Sequence, residues 1–222
     1  MQDGEKEKGP EALGYDEERM NFMNYIMLNG QRVDLTEEQV TEIRKSFGIT
    51  DKKLKDVKVG ELCKLGPFEF IVLDRSEETT AVILKEALPG GAKFGSNNNY
   101  NGSNVDKLCN EFAEKLAAII GKENIVEHTV DLTSDDGLKD YGKVKRKASL
   151  LTTTLYRRYV HILDKFKLKI WWWLATPYST PTHEDASWIK CVSPCGGIDI
   201  NYYRDYYGVR PFCVLRSNIF VA

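Results

Sequence analysis

Apolar and polar positions alternate in two neighbouring runs. In PFEFIVLD, residues 67–74, Phe68, Phe70 and Val72 fall on one side and Glu69, Ile71 and Leu73 on the other; TTAVILKEAL follows after a charged stretch from Arg75 to Glu78. Two period-2 runs around a polar turn predict an antiparallel hairpin. The period then lengthens. Val105, Leu108, Cys109, Phe112, Leu116 and Ile119 recur at helical spacing, with Gly121 as the stop. The loop SNNNYNGSN, residues 96–104, precedes them, and its last residue, Asn104, is the expected cap. A further helix is expected from Ala148 to Leu163, with Leu151, Leu155, Tyr159 and Ile162 as its buried stripe. Nearer the start, Thr36-Glu-Glu-Gln39 reads as a capping box for a helix with Val40, Ile43 and Phe47 on one face and Gly48 at its end. From Ile170 onward the texture changes to short strands between Gly/Pro turns: IWWWLA, SWIKCV, GGIDI and FCVLR. The fold class is therefore α+β, without an internal repeat. Residues 1–20 are expected to be a mobile lead-in, 21–56 a helical N-terminal extension, and 57–222 the main domain.

Composition narrows the function classes. A chain of 222 residues with net charge -2, 42% hydrophobic and 29% charged residues exerts no general attraction on nucleic acid or anionic lipid. Cysteines at 63, 109, 191, 195 and 213 contain no CxxC pair, so neither a disulfide framework nor a zinc knuckle is indicated. No run approaches the roughly 20 apolar residues of a membrane span, and Met1 to Gly14 is acidic and Gly-rich, unlike a signal peptide. Synthesis in the cytosol without membrane insertion is the expectation, with a virion-associated or cell-surface destination left open.

Individual chemistries are weak until the C-terminal third. His128, His161 and His183 lack any ligand spacing, so no metal and no cofactor are expected. Lys143, Lys145, Arg146 and Lys147 follow Asp135, Asp136 and Asp140, which favours a solvated loop of mixed charge over a nucleic-acid footprint. Glycines 90–91 and 196–197 sit in no phosphate-binding motif. Trp171, Trp172 and Trp173 cannot share one face of a strand, so one is expected in the core and one toward a second layer or a pocket rim. After them come Tyr178, Ser179, Thr182, His183, Asp185 and Ser187, then Asp199, Asn201, Tyr202, Tyr203, Arg204, Asp205, Tyr206 and Tyr207. Tyrosine gives large amphipathic contact at the cost of two torsions, and small polar residues adapt their hydrogen bonds, so this mixture is that of a binding loop.

At these residues a resemblance enters. FEFIVLD, AVILKEAL, LLTTTLYRRY, WWWLATP, CVSPCGGI and GVRPFCVLRSNIFV together resemble a family of uncharacterised bacterial and prophage domains, over residues from about Val57 to Ala222. That family is in turn similar to the C-type-lectin fold of formylglycine-generating enzymes and of the variable proteins of diversity-generating retroelements. The resemblance implies a C-type-lectin-like domain with Trp171 to Trp173, Gly208, Arg210 and Pro211 as frame, Arg210 being a buried structural cation. It also implies that the residues between the anchors form one displayed, hypervariable face. Adenine-directed diversification of Asn codons yields Tyr, Asp, His, Ser, Thr, Ile, Arg, Cys or Asn but not Lys, Glu, Gln, Met or Trp. Asp199 to Tyr207 contains no excluded type, whereas Glu184, Trp188 and Lys190 are excluded and are expected to be framework. The expected function is non-enzymatic binding of a protein or cell-surface ligand, with homo-oligomerisation open. Two alternatives stand beside it: a copper enzyme of the formylglycine-generating type using Cys191 with Cys195 or Cys213, and a structural phage or surface assembly subunit.

Overall fold

The computed structural model describes residues 25–29, 31–46 and 52–222; the expected lead-in, Phe47 and Gly48 lie outside the described residues. The chain divides into two compact units, Met1–Gly48 and Ile49–Ala222. In the first, strands β1 (Tyr25–Leu28) and β2 (Gln31–Asp34) pair antiparallel, and helix α1 (Glu37–Ser46) follows. Thr36 and Gln39 cap α1 reciprocally: the Thr36 amide donates to Gln39 Oε1 at 2.9 Å and the Gln39 amide to Thr36 Oγ1 at 3.3 Å. The extension, expected to be helical, holds the expected helix and, before it, a hairpin that was not expected. Asn29, which precedes Gly30 in the sequence, takes a left-handed φ of 50°, the habit of the Asn-Gly hairpin turn.

The boundary at 57 also moves. Leu54 and Val57 are fully buried, and the Leu54 amide donates to the Ile219 carbonyl at 2.8 Å, so the short 3-10 turn Leu54–Asp56 belongs to the second unit. That unit continues through β3 (Leu62–Leu65), β4 (Phe68–Arg75), β5 (Thr79–Leu84), β6 (Ala92–Lys93), α2 (Asn104–Ile120), β7 (Ile125–Val126), β8 (His128–Asp131), β9 (Lys143–Arg146) and β10 (Ala148–Ser149). It ends with α3 (Thr153–Leu163), β11 (Trp172–Pro177), β12 (Trp188–Val192), β13 (Ile198–Tyr202), β14 (Tyr206–Tyr207) and β15 (Phe212–Arg216). The architecture is α+β with antiparallel pairing throughout its strands.

The hairpin of β4 and β5 forms the middle of a six-stranded sheet ordered β10-β15-β5-β4-β3, with β7 also on β15. Alternation along its strands assigns its two faces. Phe70, Val72, Val82, Leu84, Cys213 and Leu215 join the core that contains Phe112 and Leu116 of α2. Ile71, Leu73, Ile83 and Phe212 join the core that contains Tyr156, Tyr159 and Ile162 of α3. Both faces are thus buried under helices, which is why these strands carry few polar residues.

Two helix starts differ from expectation. Ser103, not Asn104, caps α2, its Oγ accepting from the Asp106 amide at 3.1 Å. Helix α3 begins at Thr153 because Thr152 caps it, accepting from the Leu155 amide at 3.2 Å, while Ala148 and Ser149 pair with β15. Tyr156 therefore takes the buried place expected of Leu155, which is only half-buried.

Candidate ligand-binding surface

Strands β11, β12 and β13 form a separate three-stranded sheet. The Trp run serves three surroundings. Trp173 is buried in the α2-side core and Trp172 in the α3-side core, whereas Trp171 is half-buried at the rim of a cleft and stacks on Tyr207 at a centroid distance of 5.7 Å. Indole Nε1 of Trp173 donates to the Ala92 carbonyl at 2.9 Å, which ties this sheet to β6. Gly208 sits where a Cβ would lie 3.0 Å from that of Ala87. Its amide donates to the Trp171 carbonyl at 2.8 Å, so side-chain absence and strand contact go together. Pro211 is buried, its carbonyl accepting from the Leu84 amide at 2.9 Å.

Arg210 is 1% exposed. Its Nε donates to the Leu84 carbonyl at 2.9 Å and its Nη2 to those of Lys85 at 2.7 Å and Phe166 at 3.3 Å, with the guanidinium 5.4 Å from the Trp172 ring centroid. Burial lowers its pKa to about 10, opposed by the charge of Glu86, so it remains a cation at neutral pH.

The fourteen expected contact residues do not all lie on the outside. Tyr178 and Tyr206 are exposed, as are Thr182, His183, Asp199 and Arg204. Ser179 and Tyr203 are buried, and Tyr207 is half-buried between Trp171 and Trp173, which corrects the idea of a single displayed face for those three. Asp185, Ser187, Asn201, Tyr202 and Asp205 are intermediate. Burial, then the charge of Asp205, pushes the Tyr207 phenol up to about 12, so it stays neutral. The Arg204 guanidinium lies over both Tyr202 and Tyr203, and its Nε donates to the Tyr203 hydroxyl at 3.1 Å. Trp188, expected to be framework, is 41% exposed and makes an edge contact with Tyr202, its partner in the β12–β13 register.

What holds the segment after β11 was not expected. Asp136 Oδ2 accepts from Ser179 Oγ at 2.6 Å and from His183 Nδ1 at 2.9 Å, and Asp136 Oδ1 accepts from Ser134 Oγ. Asp140 Oδ2 accepts from Thr180 Oγ1 and Thr182 Oγ1, each at 2.7 Å, and from the Thr182 amide at 3.1 Å. The carboxyls of Asp136 and Asp140 lie below the usual carboxylate range for that reason, the Ser134 and Thr180 hydroxyls being the largest causes respectively. Beneath them, buried Asn98 donates from Nδ2 to the Ser179 and Trp188 carbonyls at 2.9 Å and accepts from Tyr141 at 2.7 Å. Lys190 is 9% exposed, its ammonium 3.0 Å from Asp135 and 5.7 Å from the Tyr178 ring centroid. The acidic loop read as solvated is thus a latch for residues 178–183, and the Asn-rich loop read as a cap is its base. Arg146 is likewise not a solvated charge: its Nε and Nη2 each reach Asp106 at 2.7 Å.

Four cysteines are buried and one is exposed. Burial pushes Cys63 and Cys109 up to about 12 and Cys191 to about 11, and raises Cys213 as well. Cys195, in the β12–β13 turn, is lowered by its hydrogen bond with Ser193. A chromogenic disulfide reagent is therefore expected to titrate a single thiol in the native protein, and none in Cys195→Ser. Two or more fast thiols would contradict the packing around Cys191 and Cys213. Among the described residues there is no group of three or more His, Cys, Asp or Glu placed to hold a metal, and no helix is long and apolar enough to cross a membrane. Comparison with protein-family models, curated proteins and solved structures finds no match to this chain.

Proposed function

We propose that the Ile49–Ala222 unit is a non-enzymatic ligand-binding domain of C-type-lectin-like architecture whose contact surface is built from Tyr178, Trp188, Tyr202, Arg204 and Tyr206. One observation carries this reading. Among residues whose side chains are described, the exposed aromatic ones are Tyr178, Trp188 and Tyr206, and all three lie in the stretch where the sequence has binding-loop composition. Exposed Trp and Tyr beside an arginine, fixed by a buried frame, are the residue types that carry binding energy at protein surfaces. The lectin-like reading is supported by element order: N-terminal strands, two helices, a separate three-stranded sheet opening on the Trp run, and a last strand returning to β5. Raised pKa values at Cys191 and Cys213 disfavour the thiolates that a copper enzyme would need.

The ligand is a protein or a cell-surface component, and the surface varies between copies of the gene. Sequencing codons 171–216 across closely related isolates tests this. Substitutions are expected at Tyr178, His183, Asn201, Tyr202, Arg204 and Tyr206, and not at Ser179, Tyr203, Tyr207, Gly208 or Arg210, which the fold uses. Substitutions spread evenly over buried and exposed positions would sink the diversified reading. A uniform locus would leave a fixed surface with one dedicated partner.

A further inference from the structure

Strand β13 ends the three-stranded sheet, with β12 on one side and no strand paired to it on the other. Two flanking bonds fix its backbone orientation. The Ser193 amide donates to the Gly197 carbonyl at 2.9 Å and the Tyr203 amide to the Ser187 carbonyl at 3.0 Å, so the odd-numbered residues from 197 to 203 turn toward β12. Ile198, Ile200 and Tyr202 therefore turn their amides and carbonyls away from the sheet. Some of these groups are satisfied locally: Asp199 Oδ1 accepts from the Ile200 amide at 2.8 Å, and the Tyr202 carbonyl accepts from the Asp205 amide at 2.9 Å. The Ile198 amide and carbonyl, the Ile200 carbonyl and the Tyr202 amide have no partner among the described residues.

Other sheet edges of this unit are protected. Lys64 of β3 exchanges backbone bonds with Ala222 at 2.9 and 3.1 Å, which covers that strand, and β9 carries exposed Lys143 and Lys145. Strand β13 has neither cover nor lysine. Its sequence is IDINY, half-buried except for exposed Asp199, and an open edge of β-branched and aromatic residues is a template for a further strand.

The residues themselves select that strand. Antiparallel pairing sets outward-turned residues opposite one another, which allows two-fold registers centred on Asp199, Ile200 or Asn201. The first opposes two Asp199 carboxylates, and the third carries Ile198 past the strand to face Arg204. The register on Ile200 uses the whole strand: Ile198 meets Tyr202, Asp199 meets Asn201, and Ile200 meets itself. No like charges face each other in it, and the Asp199 carboxylate finds an amide donor.

We infer that β13 is a homodimer interface, where a second copy of this chain adds its own β13 antiparallel across Ile200. About six backbone hydrogen bonds cross the two-fold axis in this arrangement, and the Ile200 amide exchanges the Asp199 carboxylate for a carbonyl of the second copy. The two three-stranded sheets become one, with the same face outward on both copies, so that Trp188 and Tyr202 are presented twice. Such a pair holds a multivalent ligand more tightly than one copy does. The inference goes beyond the reading of that face as a recognition surface and does not depend on it.

Sedimentation equilibrium of the full chain tests it. A monomer–dimer equilibrium in the micromolar range is expected, since the interface is small. Ile200→Pro removes an amide that faces away from β12, so it should weaken the dimer about tenfold or more while the β12–β13 ladder keeps its bonds. Two readouts do not rely on the proline variant. Exchange of the Ile198 and Tyr202 amides should slow severalfold in the wild type as concentration rises through the dissociation constant, with the Asn201 amide, turned toward β12, unchanged. In Ile200→Cys/Cys195→Ser, which lacks the exposed native thiol, a short bismaleimide should join two copies. A monomer at every concentration overturns the inference and leaves the edge to a strand from another protein. A dimer that a folded Ile200→Pro retains, or one that leaves the Ile198 and Tyr202 amides unprotected and gives no cross-link, overturns it as well. The recognition surface is judged separately, from the pattern of substitutions between isolates.

Discussion

Arg210→Ala is expected to destabilise the domain by about 3–5 kcal/mol, the summed cost of buried acceptors left without a donor and of a cavity left behind. The guanidinium satisfies three carbonyls, those of Leu84 at the end of β5, of Lys85 just after it, and of Phe166 in the turn after α3. Its removal leaves these acceptors buried without their donor and opens a void against Trp172, so a desolvation cost and a cavity cost add. Arg210→Lys keeps the charge and loses the planar fork, and should fall between wild type and alanine. Urea denaturation reads the effect as a lower midpoint at constant slope. Tyr206→Ser, at an exposed position of the same segment, should change stability by less than about 0.5 kcal/mol. An Arg210→Ala midpoint within 1 kcal/mol of wild type, a difference about equal to one ordinary hydrogen bond, would mean that the carbonyls find other donors and that the cation is not a frame element.

The contrast between Arg210 and Tyr206 reflects what periodicity can and cannot reveal. Alternation in FEFIVLD assigns Phe70 and Ile71 to opposite faces of one sheet, and the two faces are the two cores. The same reasoning separates Trp172 from Trp173. In these cases a single local period decides the outcome, since burial of a strand residue follows its side of the pleat. Turn chemistry was equally available in Asn29-Gly30, where the left-handed Asn is a hairpin signal. The start of α2 is offset because adjacent Ser103 and Asn104 are both chemically able to cap, whereas α3 starts late because Ala148 and Ser149 pair with β15 and leave Thr152 as the cap.

The candidate site was legible in composition and illegible in geometry. Tyrosine tolerates both an exposed and a packed position, so a run of tyrosines says where a surface is made and not which rings face outward. Tyr203 and Tyr207 turn inward because Phe94 and the Trp ladder lie on that side: the Phe94 amide donates to the Tyr203 carbonyl at 2.9 Å, and Tyr207 packs 4.6 Å from Trp173. Trp188 faces outward for the complementary reason, as the first residue of β12 beyond the cover of either core. Asp136 and Asp140 were hidden by their neighbours. A carboxylate among lysines reads as a solvated ion pair, and only the chain path shows that their acceptors are filled by hydroxyls some forty residues away.

That latch gives the second large effect, and it concerns order and not global stability. In Asp136→Asn/Asp140→Asn, amides of residues 178–184 are expected to exchange hydrogen about tenfold or more faster than in the wild type. The Thr182 amide reports most directly, since it donates to Asp140 itself. An amide side chain offers one acceptor oxygen where the carboxylate offers two, and its NH2 meets hydroxyls already oriented as donors. The rest of the domain should keep its protection, because Asn98 holds the base of the loop through the Ala186 carbonyl at 2.9 Å and through Ser179 and Trp188. The pH dependence has a definite sign. Both carboxyls titrate below the unfolded value of about 3.9, so the latch is fully made above that pH and is lost as pH falls through the lower folded values. Wild-type protection of this loop, corrected for intrinsic exchange, should therefore drop as pH falls below about 4. Protection unchanged in the double variant would show that backbone bonds at the loop base suffice, and would return Asp136 and Asp140 to the role of solvated surface charges. If the loop opens as expected, Tyr178 loses its fixed position over Lys190, and a ligand that uses it must reorder the segment on binding.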